Sequence, residues 1–120
     1  MNDRKLYLVF SNPVAGKERE FNEWYENVHL HDVLSTPGML TAQRFELCDT
    51  EMMRQARDAG MPVPTHRYLI VYEMEGDIDA TMAKIQEAVM SGVMVMSDSL
   101  DLGTVAMSFW SPHGPKLSAS

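Results

Sequence analysis

The stretch that decides the fold runs from Asn12 to Glu46 and reads NPVAGKEREFNEWYENVHLHDVLSTPGMLTAQRFE. Large apolar side chains in its first half follow the three- and four-residue spacing of one helix face: they are Phe21, Trp24, Tyr25 and Val28. This spacing predicts a helix over Lys17 to Val28. Asp32 falls on the same face, where a carboxylate would be buried, so either the helix ends near His29 or Asp32 has a partner.

Strands flank that helix, and the same pattern returns later in the chain. Apolar runs bounded by turn residues predict strands over Lys5 to Ser11, Met39 to Leu47, His66 to Glu75 and Gly103 to Trp110. A second amphipathic helix is predicted over Asp77 to Ser91, because apolar residues again recur at helical spacing. The order βαββαβ is that of the ferredoxin-like α+β fold, in which both helices cover one face of a four-stranded antiparallel sheet.

The length of 120 residues fits a single domain with one core. We expect the domain to span residues 1–111 and a tail that begins at Pro112 to span residues 112–120. Residues 48–65, between the second and third strands, are irregular apart from a short helix predicted over Thr50 to Ala59. We interpret this segment as a surface excursion.

Composition limits the classes of partner. The net charge of −7 argues against nucleic-acid binding, which needs clustered lysine and arginine. Cys48 is the only cysteine, so no disulfide can form within the chain, and a reducing, cytoplasmic location is expected. No apolar run approaches the ~18 residues of a membrane span, so a soluble protein without membrane association is predicted.

The strands are apolar on both faces, most clearly over Leu6 to Phe10, Tyr68 to Tyr72 and Val105 to Trp110. A strand with one face in water should instead alternate between apolar and polar residues. Because an exposed apolar surface of that size would associate, its simplest cover is the same sheet of a second copy. The sequence therefore predicts a two-fold homodimer, with Trp110 as one of its anchors.

Three segments, NPVAGKEREFNEWYENVHLHDVL, TPGMLTAQRFEL and THRYLIVYEMEGD, resemble in their order the dimeric α+β barrel superfamily, and specifically its EthD-like branch. The resemblance implies a homodimer, a pocket between the sheet and the helices of each subunit, and no bound metal or organic cofactor. The wider superfamily includes cyclases, lactone isomerases, cofactor-independent monooxygenases, haem-using enzymes and members without demonstrated chemistry, so the fold does not decide the function. One departure is His31, which stands where relatives often carry proline.

The candidate catalytic residues are His29 and Asp32. The resemblance places the histidine of the family at His29, where a ring that titrates near neutrality would act as a general acid or base. The alternative is a histidine that caps the carbonyls at a helix C-terminus. Asp32 would orient an imidazole, or form a surface pair with His31. A metal site built from these residues is not predicted, because a helix separates side chains two residues apart by about 200°.

Six residues are candidates for contact with a substrate: Trp24, Tyr25, His31, Arg44, Tyr68 and Tyr72. Core packing is the alternative role for the aromatic residues among them. Arg44 would bind a carboxylate or phenolate, or else pair with a glutamate at the sheet edge. Three methionines would form a pliable apolar wall or fill gaps in the core: Met90, Met94 and Met96.

These candidates predict a small cofactor-independent enzyme of isomerase, cyclase, lyase or monooxygenase type, acting on a hydrophobic, aromatic or cyclic metabolite. The rival hypothesis is a non-catalytic accessory protein that binds a hydrophobic intermediate for a partner oxygenase. A third hypothesis, haem binding through an imidazole, is disfavoured.

Overall fold

A computed structural model describes residues 4–120 of the chain. Four strands form one antiparallel sheet in the order β2-β3-β1-β4, and they are β1 (Lys5–Ser11), β2 (Met39–Glu46), β3 (Tyr68–Met74) and β4 (Ala106–Trp110). The helices are α1 (Glu18–Trp24), α2 (Leu30–Leu34), α3 (Glu51–Asp58) and α4 (Ile78–Met90). The predicted α+β fold with a four-stranded antiparallel sheet is confirmed.

The core lies between one face of the sheet and the helices. Side chains of β1 and β3 alternate in burial, and Tyr7 lies opposite Tyr72 in the sheet, as Val9 lies opposite Ile70. These four side chains are buried in one apolar cluster with Phe21 of α1. Since period-two burial is the mark of a strand with one covered face, the sheet has a helix side and an open side.

A single long helix with an irregular turn connects β1 to β2. Between α1 and α2 the chain forms a π-helical turn over Tyr25–His29, and the backbone stays helical on both sides of it. The helix therefore does not end near His29 but continues to Leu34, which differs from the predicted end at Val28. A π turn accommodates one residue more than an α turn, so the face that points to the core shifts by one position.

That shift answers the question raised by Asp32. In an uninterrupted helix, Val28 and Asp32 would face the core; here Val28 is 37% exposed and Asp32 is half-buried. Val33, which follows Asp32, is instead only 3% exposed. The predicted apolar stripe was therefore wrong at Val28, because the extra residue in the turn replaces it with His29 on the inward face. The carboxylate of Asp32 therefore avoids full burial. Burial without a hydrogen-bond partner costs about 2–7 kcal/mol for a neutral polar group and more for a charged one.

The second half of the domain follows the predicted pattern with one change at β4. The side chain of Asp77 accepts a hydrogen bond from the Ala80 amide (3.1 Å) and so caps α4 at the predicted position. The predicted strand from Gly103 begins only at Ala106, because residues Leu102–Thr104 form a 3₁₀ turn. Asp101 stabilises that turn by accepting a hydrogen bond from the Gly103 amide (3.1 Å).

The segment between β2 and β3 contains α3, close to the helix predicted over Thr50 to Ala59. The Thr50 hydroxyl accepts a hydrogen bond from the Met53 amide (3.1 Å), as a helix N-cap does. None of the residues of α3 is buried. Residues 112–120 form neither helix nor strand. A crossing of a lipid bilayer would need a longer and more apolar helix than any formed within residues 4–120.

Candidate functional site

A cavity of about 520 Å³ lies between the helix side of the sheet and the helices. Side chains of β1, β3 and β4 line it on one side, and Met82 and Ile85 of α4 line it on the other. Tyr25 and His29 enter from the π turn. The volume falls within the range of about 300–1,000 Å³ that is usual for small-molecule sites, and most of the lining side chains are apolar.

Three stacked aromatic rings form part of the cavity wall that the sheet supplies. The ring of Tyr7 lies 4.7 Å from the ring of Phe109 with planes 9° apart, and 5.2 Å from the ring of Tyr72 with planes 20° apart. They stack because these residues lie opposite one another on neighbouring strands. The Tyr7 hydroxyl donates a hydrogen bond to the sulfur of Met107 (3.1 Å). The result is an aromatic section of the wall in which Tyr72 and Phe109 lie on either side of the Tyr7 ring.

His29 is held against two aromatic residues of the same helix. Its ring stacks on Trp24 with centroids 4.4 Å apart and planes 22° apart, and it meets Tyr25 edge-on at 5.4 Å. The indole of Trp24 is in turn fixed by a hydrogen bond from Nε1 to the Val95 carbonyl (2.9 Å). The imidazole is thus oriented by packing, and it forms no side-chain hydrogen bond to any residue in the range 4–120.

The two nitrogens of His29 differ in their surroundings. Nδ1 is fully buried and has no hydrogen-bond partner among residues 4–120, which leaves Nε2 as the nitrogen that a ligand can reach. Burial lowers the pKa of His29 to about 4, because a charged ring would lose its hydration, and the negative charge of Asp32 opposes this only in part. At neutral pH the imidazole is therefore uncharged.

The structure brings together three of the residues singled out from the sequence. Tyr25, His29 and Tyr72 line the cavity. Trp24 does not line it but supports the ring of His29 from behind. Asp32 acts on His29 through its charge, and its carboxylate forms no hydrogen bond or ion pair within residues 4–120. His31 is exposed and lies outside the cavity wall.

Arg44 and Tyr68 lie at a second, smaller pocket of about 310 Å³ on the other side of Tyr25. The guanidinium of Arg44 donates hydrogen bonds to Asn22 (2.7 Å) and Glu26 (3.1 Å) and lies 5.1 Å from the ring centroid of Tyr25. The Tyr68 hydroxyl donates to Glu18 (2.8 Å). Pairing with a glutamate, the structural alternative considered for Arg44, is thus present, and its contact with a substrate stays a prediction.

Other residues of the cavity wall were not singled out from the sequence, among them Tyr7, Asp79, Gln86, Met107 and Phe109. Alternation of apolar and polar residues along β1 would have indicated that Tyr7 faces the helices. The strand is apolar on both faces, so its sequence shows no such alternation. No signal marks Asp79 or Gln86, which occupy ordinary polar positions of α4. Of the three methionines considered, Met96 lines the cavity, Met94 is buried in the core and Met90 is 79% exposed.

Within residues 4–120, no group of three His, Cys, Asp or Glu side chains is placed to hold a metal ion. His29, His31 and Asp32 illustrate the reason, since the helix continues through all three and directs His31 outward.

Comparison with known proteins supports the fold. No known family profile matches the sequence, and no curated protein matches it significantly. The structure is similar to the crystal structure of an ethyl tert-butyl ether d (EthD) family protein from Bacillus halodurans, with a TM-score of 0.60 and 14% sequence identity. The similarity covers 92% of this chain and 98% of that one. The chain therefore has an EthD-like α+β fold, as the sequence resemblance implied.

Proposed function

We propose that this protein is a small cofactor-independent enzyme that transforms a hydrophobic, aromatic or cyclic metabolite in the cavity, with His29 as general acid or base. The observation that carries the proposal is the placement of one imidazole, with its Nε2 available, in the wall of an otherwise apolar, aromatic-lined cavity. An isomerisation, cyclisation, lyase step or oxygenation each needs a proton to be moved at such a position.

The neutral state of His29 suits this role. A neutral imidazole both donates and accepts a hydrogen bond, so it can bind a hydroxyl or carbonyl without bringing a charge into an apolar cavity. When it removes a proton, the anion that forms beside it favours the imidazolium and raises the pKa of the ring. The charge of Asp32 acts in the same direction. Trp24 and Tyr25 hold the ring in place during the transfer.

A homodimer is part of the proposal. The open side of the sheet carries a continuous apolar surface, which we call the open face and which consists of Leu6, Leu8, Phe10, Phe45, Leu69, Val71 and Trp110. Trp110 is 56% exposed on this face. A second copy that covers the open face would remove this apolar surface from water. The cytoplasmic location expected from the sequence belongs to the same proposal.

The test begins with a thermal-shift screen of uncharged aromatic and alicyclic compounds, followed by turnover assays on those that bind. We expect His29→Gln to abolish turnover while ligand binding and the oligomeric state persist. His31→Gln is the matched control, because His31 is an exposed histidine two residues away that lies outside the cavity. An unchanged rate in His29→Gln would reject the catalytic role.

A second candidate function is that of an accessory protein that binds a hydrophobic intermediate without transforming it. The low pKa of His29 favours it, because a base with a pKa near 4 is weak at neutral pH. This alternative predicts that compounds bind in the screen but none is converted, by the protein alone, at a rate that depends on His29.

A further inference from the structure

We infer that the cavity selects ligands without net charge and rejects carboxylates of the same size and shape. The inference deepens the proposed function, on which it rests, by naming the substrate class of the same site: an uncharged compound that carries a hydroxyl or carbonyl group.

The first argument is the charge of the cavity wall. Within residues 4–120, the wall contains one carboxylate, Asp79, and neither lysine nor arginine. His29 does not supply a positive charge at neutral pH, because burial keeps its ring uncharged. A carboxylate ligand would therefore lose its hydration without gaining a cation, and an unpaired buried charge is strongly unfavourable.

The second argument is the position of Arg44, the cation that packs against the cavity-lining Tyr25. Its guanidinium lies over the ring of Tyr25, on the side of the second pocket, and is already bound to Asn22 and Glu26. The ion pair with Glu26 has an N···O distance of 3.1 Å. Arg44 is thus separated from the cavity by the ring of Tyr25 and paired with Glu26. Its charge reaches the wall at Tyr72 but is outweighed there by burial, which raises the pKa of that hydroxyl, so it compensates an anion in the cavity only weakly.

The third argument is the kind of polar group that the wall does offer. The hydroxyls of Tyr7 and Tyr72 belong to wall residues, and burial raises the pKa of both, that of Tyr7 to about 12. They remain protonated donors at neutral pH. The Tyr72 hydroxyl has no partner within residues 4–120, and that of Tyr7 bonds only to a thioether, a weak acceptor. With Nε2 of His29, these groups match a neutral oxygen atom of a ligand.

The experiment compares three ligands of one shape by isothermal titration calorimetry at pH 7: 2-naphthol, 2-naphthoate and 2-naphthylmethylamine. We expect the uncharged naphthol to bind best and the carboxylate to bind at least about tenfold more weakly, a difference of about 1.4 kcal/mol. The ammonium compound should also bind more weakly than naphthol, because Asp79 is exposed and compensates a buried charge poorly. Equal affinity for naphthol and naphthoate would overturn the inference.

A change of charge at the wall provides the matched variant. Gln86 lines the cavity from an exposed position of α4, so Gln86→Lys should leave the fold intact and add one cation. We expect the affinity for naphthoate to rise to within about threefold of that for naphthol, since the added ammonium group would pair with the carboxylate of the ligand. Gln86→Met, of similar length but uncharged, should keep the selectivity of the original protein. A Gln86→Lys variant that still rejects naphthoate would contradict the argument from charge.

The inference and the proposed function can fail separately. Because binding is measured at equilibrium, charge selectivity is tested even if no compound is converted. Turnover that depends on His29 together with equal binding of anions would leave the catalytic proposal standing and remove the inference. If neither naphthol nor any compound of the thermal-shift screen binds, the cavity is not a ligand site and both fall.

Discussion

The imidazole of His29 and the indole of Trp24 lie face to face, with centroids 4.4 Å apart and planes 22° apart. Stacking on an indole favours a cationic partner, whereas burial favours a neutral one. Burial lowers the pKa of His29 to about 4, although the negative charge of Asp32 opposes it. The ring is therefore a neutral group held rigidly at a cavity wall.

This relationship predicts a pH dependence of stability. The pKa of His29 falls from 6.5 to about 4 on folding, so between these values the unfolded chain binds more protons than the folded one. The contribution of His29 is then fully present above pH 6.5 and is lost as the pH falls towards 4. We expect the free energy of unfolding to decline by about 2–3 kcal/mol over this window on account of His29.

Urea unfolding of the original protein and of His29→Gln between pH 4 and 7 checks this expectation. The original protein should lose more stability than the variant as the pH falls, since residue 29 of the variant does not titrate. NMR titration of the His29 imidazole carbons measures the pKa directly. A His29 pKa at or above 6.5 would show that the ring is hydrated rather than buried.

The π turn predicts an unusual tolerance to deletion. Asn27 is exposed within the turn Tyr25–His29, and removal of one residue there should convert the π turn into an ordinary α turn. The inward faces on either side would stay aligned, because the turn accommodates one residue more than a regular helix needs. We expect the Asn27 deletion to fold with a melting temperature within a few degrees of the original.

Deletion of Lys84 is the matched control, because Lys84 is exposed in the regular helix α4. Every residue after it would rotate by about 100°, and Ile85 and Val89 would leave the core. Full burial of an aliphatic side chain is worth about 1.5–3 kcal/mol. Ile85 and Val89 are half-buried, so each would lose part of that value, and we expect a clear loss of stability. Equal losses of stability in the two deletions would mean that the π turn does not tolerate the removal of a residue better than a regular helix does. Thermal unfolding followed by circular dichroism separates the outcomes.

The surroundings of Gly38 predict that a side chain there would destabilise the protein by overpacking, in addition to the strain of its backbone conformation. Its φ is 103°, and a Cβ atom there would overlap the hydroxyl of Thr81, which is buried and donates a hydrogen bond to the Pro37 carbonyl (3.2 Å). Gly76 also has a positive φ of 82°, but no atom lies within 4 Å of its Cβ position. Gly76→Ala should cost about 1–2 kcal/mol through strain alone, and Gly38→Ala about 1–3 kcal/mol more through overpacking. Urea denaturation gives both values.

A charged residue on the open face should prevent dimerisation without preventing folding. Val71 is half-buried on this face, next to Leu8 in the sheet register. We expect Val71→Glu to give a folded monomer, because a dimer would bury its carboxylate without a partner. Met90→Glu, at an exposed position of α4, should leave the dimer unchanged. Sedimentation velocity distinguishes the two, and an original protein that sediments as a monomer would end the homodimer proposal.

The order of strands and helices could be predicted because the periodicity of the apolar residues is strong. β1 begins and ends as predicted, at Lys5 and Ser11, and α4 differs from its prediction by a single residue at either end. The π turn could not be predicted, since no residue type marks one and Val28 completes a regular helical stripe. The only sign was Asp32, whose position on the apolar face indicated that a regular helix did not fit.

The cavity could be predicted only in part, for a similar reason. Tyr25 and Tyr72 were singled out as aromatic residues on predicted apolar faces, and His29 because the EthD-like resemblance places the histidine of the family there; all three line the cavity. Tyr7 was missed because β1 is apolar on both faces, so its sequence does not say which side meets the helices. The sheet register decides the question, because it pairs Tyr7 with Tyr72 and Phe109 on the side that faces the helices.

The segment that carries α3 leaves and re-enters the sheet at one place, where the Leu47 amide donates a hydrogen bond to the Arg67 carbonyl (2.7 Å). Since none of the side chains of α3 is buried, this part of the chain can change in length and sequence over evolution without disturbing the rest. It is also the natural position at which to insert an affinity tag or a fluorescent reporter.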